Sequence, residues 1–213
     1  MAARRRTGPA GRSLIDFDRA LGPDLVGGAD EAGRGALAGP RGAAAGRRRP
    51  RMAGIDRLLR LDDSKRLRPA VRDELEQEVR SVAEAVAVCV VSASAIDEVG
   101  IQAANLTALS RALDGLDAPP HAELLVDGFA LAMQSRPHRA LVKGDGTSAA
   151  IAAASVIAKT TRDRIMERLD ADAPGYGFAA HAGYGTAHHR EAIARLGPCP
   201  AHRRSFAPIS RAA

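Results

Sequence analysis

The sequence predicts an α/β domain on three grounds: strand-like and helix-like segments alternate, no internal period repeats, and acidic residues close three of the strand-like segments. A chain of 213 residues can bury one self-sufficient core without a disulfide or metal staple. Lys and Arg number 31 against 25 Asp and Glu, a formal charge of +6 that favours polyanionic partners. Part of that surplus lies in the runs Arg4–Arg6 and Arg47–Arg49, which read as solvated, so charge alone argues only modestly for nucleic acid. Cys89 and Cys199 are isolated thiols, which excludes a disulfide framework or zinc cluster and suits a reducing, cytoplasmic setting. No apolar run reaches the roughly 18 residues that span a bilayer. The basic opening also lacks the apolar stretch of a secretory signal, so no membrane association is expected.

Taken in order, residues 1–12 are rich in Arg, Gly and Pro and read as a disordered basic arm, with 13–213 forming the domain. Leu14–Leu21 suits a short helix stopped by Gly22-Pro23, and Leu25–Ala29 a strand that ends by delivering Asp30 and Glu31 to the turn Gly33-Arg34-Gly35. Arg41–Gly54 holds Gly, Arg and Pro with no alternation and reads as loop. Residues 66–84 predict a helix, with Leu67, Val71, Leu75, Val79 and Val82 on one face and Pro69 in the first turn. Ala85–Val91 is continuously apolar and reads as a buried strand. Ser94 is the expected cap of the next helix, in which Ile101, Leu106, Leu109, Leu113 and Leu116 keep helical spacing. Glu123–Asp127 is a strand stopped by Gly128, and Ala140–Lys143 another that ends in Gly144-Asp145-Gly146. A long helix follows, capped by Thr147 or Ser148, with Ile151, Ala154, Ala158, Ile165 and Leu169 facing inward. Pro174–Gly185 reads as loop, and a last helix from Thr186 to Leu196 stops at Gly197-Pro198.

The chemistry is carried by Asp30, Glu31, Asp127 and Asp145, which the alternation places at strand ends, where α/β sheets bind ligands. Four converging carboxylates repel one another unless a cation joins them, and hard oxygen donors suit Mg²⁺ or Mn²⁺ rather than zinc. Such a cluster is the equipment of two-metal phosphodiester hydrolysis, with ions ~3.5–4 Å apart. Neighbours on a strand point to opposite faces, so Asp30 and Glu31 share a site only if the strand ends there. Singly, each acid reads equally as a cap or turn residue, Asp127-Gly128 above all. Taken together, the four favour a metal site.

The segments Gly28-Ala29-Asp30-Glu31-Ala32-Gly33-Arg34-Gly35 and Leu37-Ala38-Gly39-Pro40 resemble the opening signature of the bacterial ribonuclease HII family, a type 2 ribonuclease H. In family order follow Asp63-Ser64-Lys65, Val126-Asp127-Gly128, Lys143-Gly144-Asp145 and Ile151–Lys159 with Thr161-Arg162-Asp163. Tyr176-Gly177-Phe178, His181–Thr186, Gly197–Pro200 and His202–Phe206 complete the resemblance, which spans residues 25–209. It implies an RNase H-like fold: a five-stranded mixed β-sheet flanked by α-helices, with a C-terminal helical and loop extension. It implies hydrolysis of RNA in RNA–DNA hybrids and incision 5′ to single ribonucleotides in duplex DNA, leaving 3′-hydroxyl and 5′-phosphate ends. Carried over by position, Asp30, Glu31, Asp127 and Asp145 hold Mn²⁺ or Mg²⁺. The backbone of Gly33, Arg34 and Gly35 meets the 2′-hydroxyl that separates RNA from DNA, and Tyr184 stacks on the next deoxyribose. Lys65, Lys143, Lys159 and Arg162 touch phosphates. The partners implied are RNA–DNA hybrid and ribonucleotide-containing DNA, and the expected state is a monomer.

Two independent features agree with those roles: glycines let backbone approach a ligand closely, and a helix opening after Gly146 offers N–H groups to anions. Taken singly, Tyr184 reads equally as a packed loop aromatic, and Lys159 and Arg162 as a solvated helix face. His181, His188, His189 and His202 read as surface or loop residues. The chain departs from the family in two places. A β-branched strand and hairpin normally follow Gly39-Pro40, where this chain has Arg41-Gly42-Ala43-Ala44-Ala45-Gly46 and Arg47–Arg49, so either the strand forms there on backbone bonding or the segment is a local sequence anomaly. Ala182 stands where the family usually has Lys. Two other readings stay open: a non-catalytic nucleic-acid-binding relative, and a phosphate loop at Lys143–Thr147, whose spacing is wrong for a Walker motif.

Overall fold

The computed structural model describes residues 10–51, 54–132, 134 and 136–210. The expected disordered arm falls largely on residues 1–9, outside that set, and the first helix, α1 (Ala10–Ala20), begins four residues before Leu14. Its apolar side chains Leu14 and Ile15 are buried.

Five strands form one mixed sheet in the order β3-β2-β1-β4-β5. They are β1 (Val26–Ala32), β2 (Arg41–Arg48), β3 (Ala85–Val91), β4 (Glu123–Asp127) and β5 (Arg139–Leu141). β1 runs antiparallel to β2 and β2 to β3, whereas β1–β4 and β4–β5 are parallel. The intervening helices are α2 (Pro69–Val82), α3 (Ala93–Val99), α4 (Ile101–Asp114), α5 (Ala149–Asp172), α6 (Phe178–His181), α7 (Ala187–Leu196) and α8 (Ala207–Ser210). α1, α2 and α5 pack on one face of the sheet and α4 on the other. The C-terminal elements form a separate apolar cluster around Phe178, Met166, Leu37 and Ile193. Among the described residues, no helix is long and apolar enough to cross a membrane.

Arg41–Arg48, expected as loop, is an inner strand bonded on both sides. Its small residues are what its place demands. Toward α5 it presents Gly42, Ala44 and Gly46, while Ala43 and Ala45 join the cluster built with Ala108 and Ala112 of α4. On neighbouring β1 the approach is closer still, because a side-chain carbon on Gly28 would collide with the backbone of Ala150. Two helices packed this tightly leave no room for the branched residues usually found in an inner strand.

Ala85–Val91, expected as buried, is the opposite case. It is the edge strand, with Val88 38% and Val90 45% exposed. Other expectations shift by a few residues. The helical cap is Ser92, whose hydroxyl accepts from Ala95 N–H (3.1 Å), and Gly100 (φ 81°) splits the expected helix into α3 and α4. β5 stops at Leu141, because Lys143 takes a left-handed φ of 56° before the 3₁₀ turn Gly144–Gly146. Ser148 rather than Thr147 caps α5, and a short α6 lies within the expected Pro174–Gly185 loop.

Candidate active site

β1 and β4 run parallel only as far as the pair Ala29 and Val126, so Asp30 and Asp127 come next, side by side, at the end of the shared ladder. β1 continues to Ala32 and so does not end before its acids. Asp30 accordingly faces α5, where it accepts from Ser155, and Glu31 faces α4. Both still line one cleft of about 230 Å³ with Asp127, Lys65, Tyr184 and the Gly33–Gly35 turn. Asp145 sits on the 3₁₀ turn after β5, where its Oδ2 lies 3.7 Å from Lys65 Nζ.

The electrostatics of this cleft are unfavourable to its carboxylates. Burial, then the charges of Glu31 and Asp127, push the pKa of Asp30 well above the usual carboxylate range. Burial also raises Asp127 and Asp145; for Asp127 the N–H of Gly144 opposes the rise at 2.6 Å, and for Asp145 the charges of Asp63 and Asp127 add to it. Desolvation pulls the Lys65 pKa down, but the surrounding Asp63, Asp145, Asp30 and Asp127 outweigh it and leave it raised. The order Asp63-Ser64-Lys65 thus has a local logic. Lys65 faces the acids, and Ser64 Oγ meets Ser155 Oγ at 2.7 Å behind Asp30.

Among the described residues, no three His, Cys, Asp or Glu side chains are grouped tightly enough to clasp an ion as they stand. Each acid has an internal partner instead. Asp30 Oδ1 accepts Glu31 N–H (2.6 Å), Glu31 pairs with Arg41 (2.7 Å), Asp127 accepts Gly144 N–H, and Asp145 faces Lys65. The donor set nevertheless fits a hard divalent cation: it is all oxygen, and the crowding that lifts Asp30 is what a cation relieves.

Arg162 departs from its expected phosphate contact. Its guanidinium is fully buried and donates from Nε to Pro40 O (3.0 Å) and from Nη2 to Ala38 O (3.1 Å). It lies beneath Gly33, whose φ of 88° and lack of a side chain leave it room, and 5.6 Å from the Tyr184 ring centroid. It is a strut under the turn and cannot reach a phosphate. Lys159 is held by Asp163 at 2.6 Å, while Lys65, Lys143 and Arg34 are exposed. Arg34 reaches Gln102 (3.1 Å).

Sequence reasoning missed the buried, supporting place of four residues. Arg41, hidden in the supposed loop, is buried and joins Glu31 to Asn105 (2.9 and 2.6 Å). Arg203 is buried and donates to Gly39 O, Pro40 O and Arg34 O at 3.0, 3.2 and 3.1 Å. Burial and the nearby Arg162 and Arg41 lower its pKa to about 9. His189 and His202, expected at the surface or in loops, are buried as well. Arg203 and His202 lie within a motif already singled out; no periodic pattern marks them as inward-facing.

Residues 27–209 match the family model described as Ribonuclease HII. The chain belongs to the ribonuclease HII family. Members are endoribonuclease hydrolases of the ribonuclease H type that act on RNA–DNA hybrids and depend on divalent metal ions. A ribonuclease HII of Acidothermus cellulolyticus is 50% identical over 196 residues, covering 90% of this chain and 62% of the relative. That of Rhodococcus erythropolis is 47% identical over 189 residues, covering 89% and 81%. The chain therefore spans just under two thirds of the Acidothermus protein's length and four fifths of the Rhodococcus one. Among solved structures, ribonuclease H2 from Pyrococcus horikoshii superposes with a TM-score of 0.74 at 25% identity, covering 88% of this chain and 96% of that one. A Bst ribonuclease HIII in complex with Mn²⁺ shares the fold (TM-score 0.71, 21% identity, covering all of this chain and 74% of that one). In this chain the five-stranded mixed sheet and its flanking helices are those of the RNase H-like fold.

Proposed function

We propose that this chain is, in one catalytic domain, an endoribonuclease that hydrolyses the RNA strand of RNA–DNA hybrids and incises duplex DNA 5′ to a single ribonucleotide. One observation carries the reading: Asp30 and Asp127 stand in adjacent register in a cleft whose wall is the Gly33–Gly35 turn and Tyr184. Acid groups for phosphodiester chemistry and a backbone able to sense a sugar hydroxyl thereby share one wall. Asp30, Glu31, Asp127 and Asp145 would hold Mn²⁺ or Mg²⁺, which would supply activation of water and charge stabilisation for a leaving 3′-oxygen, consistent with 3′-hydroxyl and 5′-phosphate ends. Two ions suit four carboxylates.

The chain's own groups do the rest. Arg41 holds Glu31 in the cleft. Lys65 balances the acids and, with Lys143 and Lys159, faces the phosphates of the incoming duplex. The Gly33-Arg34-Gly35 backbone meets the 2′-hydroxyl, and Tyr184 stacks on the following deoxyribose, so the pair reads an RNA–DNA junction. Arg203 holds that turn by donating to Arg34 O, while Arg162 packs beneath Gly33 and donates to Ala38 O and Pro40 O just beyond it. The enzyme acts as a cytoplasmic monomer.

The test is gel analysis of a duplex carrying one ribonucleotide, with and without Mn²⁺. Cleavage should require the metal and fall on the 5′ side of the ribonucleotide. Asp127→Asn should reduce it at least ~10³-fold while the circular dichroism spectrum stays unchanged. Full activity in that variant removes Asp127 from the site, and hybrid binding without cleavage in any divalent metal identifies a non-catalytic relative.

A further inference from the structure

Behind Tyr184 runs a buried chain of hydrogen bonds that the reaction does not use directly. Tyr184 O lies 3.0 Å from His189 Nδ1; His189 Nε2 lies 3.1 Å from His202 Nε2; and His202 Nδ1 lies 3.0 Å from Cys199 N. Both imidazoles are buried. The two ends of the chain decide the protons between them. A carbonyl can only accept, so His189 Nδ1 carries a hydrogen and its Nε2 accepts; His202 Nδ1, which also has Cys199 Sγ at 3.2 Å and Cys199 O at 3.3 Å, is bare when it accepts the Cys199 amide N–H. Two neutral rings then leave one hydrogen for the central bond, donated by His202 Nε2 to His189 Nε2. In this arrangement every bond points the same way, from Cys199 to Tyr184.

The same residues are tied to the sugar-sensing turn. Ala36 bridges to Tyr184 and Ala38 to His202, while Leu37 N–H donates to Gly183 O at 2.8 Å. His189 also stacks on His181 (4.4 Å between centroids), and His181 Nδ1 accepts from Gly183 N–H (3.2 Å). The Tyr184 ring projects into the cleft, 39% exposed, while its backbone is held from inside.

We infer that His189 and His202 are positioning residues that fix the Tyr184 ring against the Gly33–Gly35 turn, and so set how strongly the enzyme prefers an RNA–DNA junction to continuous hybrid. The inference rests on the proposed role of Tyr184. Neither histidine touches substrate; each acts through the tyrosine.

The experiment compares cleavage of two duplexes in Mn²⁺, one carrying a single ribonucleotide and one a continuous RNA strand, for the wild type, Tyr184→Ala, His189→Phe, His189→Asn and His202→Asn. Tyr184→Ala tests the underlying role and should weaken junction incision much more than hybrid cleavage. His189→Phe should lower the junction-to-hybrid ratio roughly 3- to 10-fold, the size one buried hydrogen bond commands, through KM on the junction substrate. His189→Asn, whose amide nitrogen can replace Nδ1–H, should recover most of the ratio. His202→Asn still accepts Cys199 N–H but removes the donor to His189, and should lower the ratio in the same direction by less. Loss of the ratio in Tyr184→Ala with no change in folded His189→Phe and His202→Asn overturns the positioning role and leaves the Tyr184 reading intact. If Tyr184→Ala itself leaves the ratio unchanged, both fall. Should His189→Phe not fold, the His202→Asn and His189→Asn pair decides: an unchanged ratio in His202→Asn overturns the inference.

Discussion

Strands β2 and β3 lie side by side and exchange backbone hydrogen bonds along their whole length, yet their sequences suggest exchanged places. The strand made of Arg, Gly and Ala is inner and buried; the one made of Ala, Val and Cys is the edge and half open. The difference shows that an inner position is decided by the space between the covering helices and only secondarily by strand propensity. β2 is enclosed between α5 and α4, and small side chains let both come close. Among the described residues β3 has no outer neighbour, and Val88 and Val90 remain partly open. The arginines that make β2 look like loop are also accommodated. Arg41 ends 2.7 Å from Glu31, and Arg48 ends 2.6 Å from buried Asp18. Asp18 in turn accepts from Ser148 Oγ (2.6 Å) and from Ala150 N–H (2.9 Å), so the pair braces the start of α5.

This contrast can be broken by substitution, the largest effect first. Gly28→Val should prevent folding, at a cost above about 4 kcal/mol, because its side chain has only the Ala150 backbone to enter. Circular dichroism and solubility would show it, and a stable folded variant would mean that α5 does not press on the sheet as described. Arg48→Met should cost about 3 kcal/mol in urea unfolding, the low end for breaking a buried pair, because Asp18 keeps its other two partners. A neutral outcome would make the pair dispensable and the strand's place independent of it. At the other extreme, Val88→Lys on the edge strand should change stability by less than about 0.5 kcal/mol. A large loss there would show that β3 is covered by something in solution.

Between these lies a pH effect that sharpens the difference between buried charges that are paired and buried groups kept neutral. Burial, with the neighbouring His181 and His202 adding to it, lowers the pKa of His189 to about 4. The Tyr184 carbonyl opposes this fall. His202 is lowered by burial and by Arg204, with Cys199 O opposing, and Tyr176 packs edge-on against its ring. An unfolded histidine binds its proton near pH 6.5, so between pH 6.5 and about 4 the unfolded chain holds protons that the folded His189 does not. Stability should therefore fall as pH drops through that window and level off below it. The thermal midpoint measured from pH 7 to 4 should decline less steeply in His189→Asn. An identical slope in that variant would show that His189 is not buried in its neutral form.

Much of this protein was legible in the residues alone. The alternation of elements, the helices α2, α5 and α7, strand β4 and the four acids all follow from local periodicity and from motifs that sit at turns. Such features depend on neighbours a few residues away, which a sequence displays directly. Tertiary packing decided what depends on distant chain segments. It made a Gly- and Ala-rich stretch the inner strand because two helices close on it, and it turned Arg162 from a phosphate contact into a strut under the Gly33 turn. It also buried His189 and His202 behind Tyr184. A side chain's depth and partner are set by what the rest of the chain places against it, and no pattern within one segment records that.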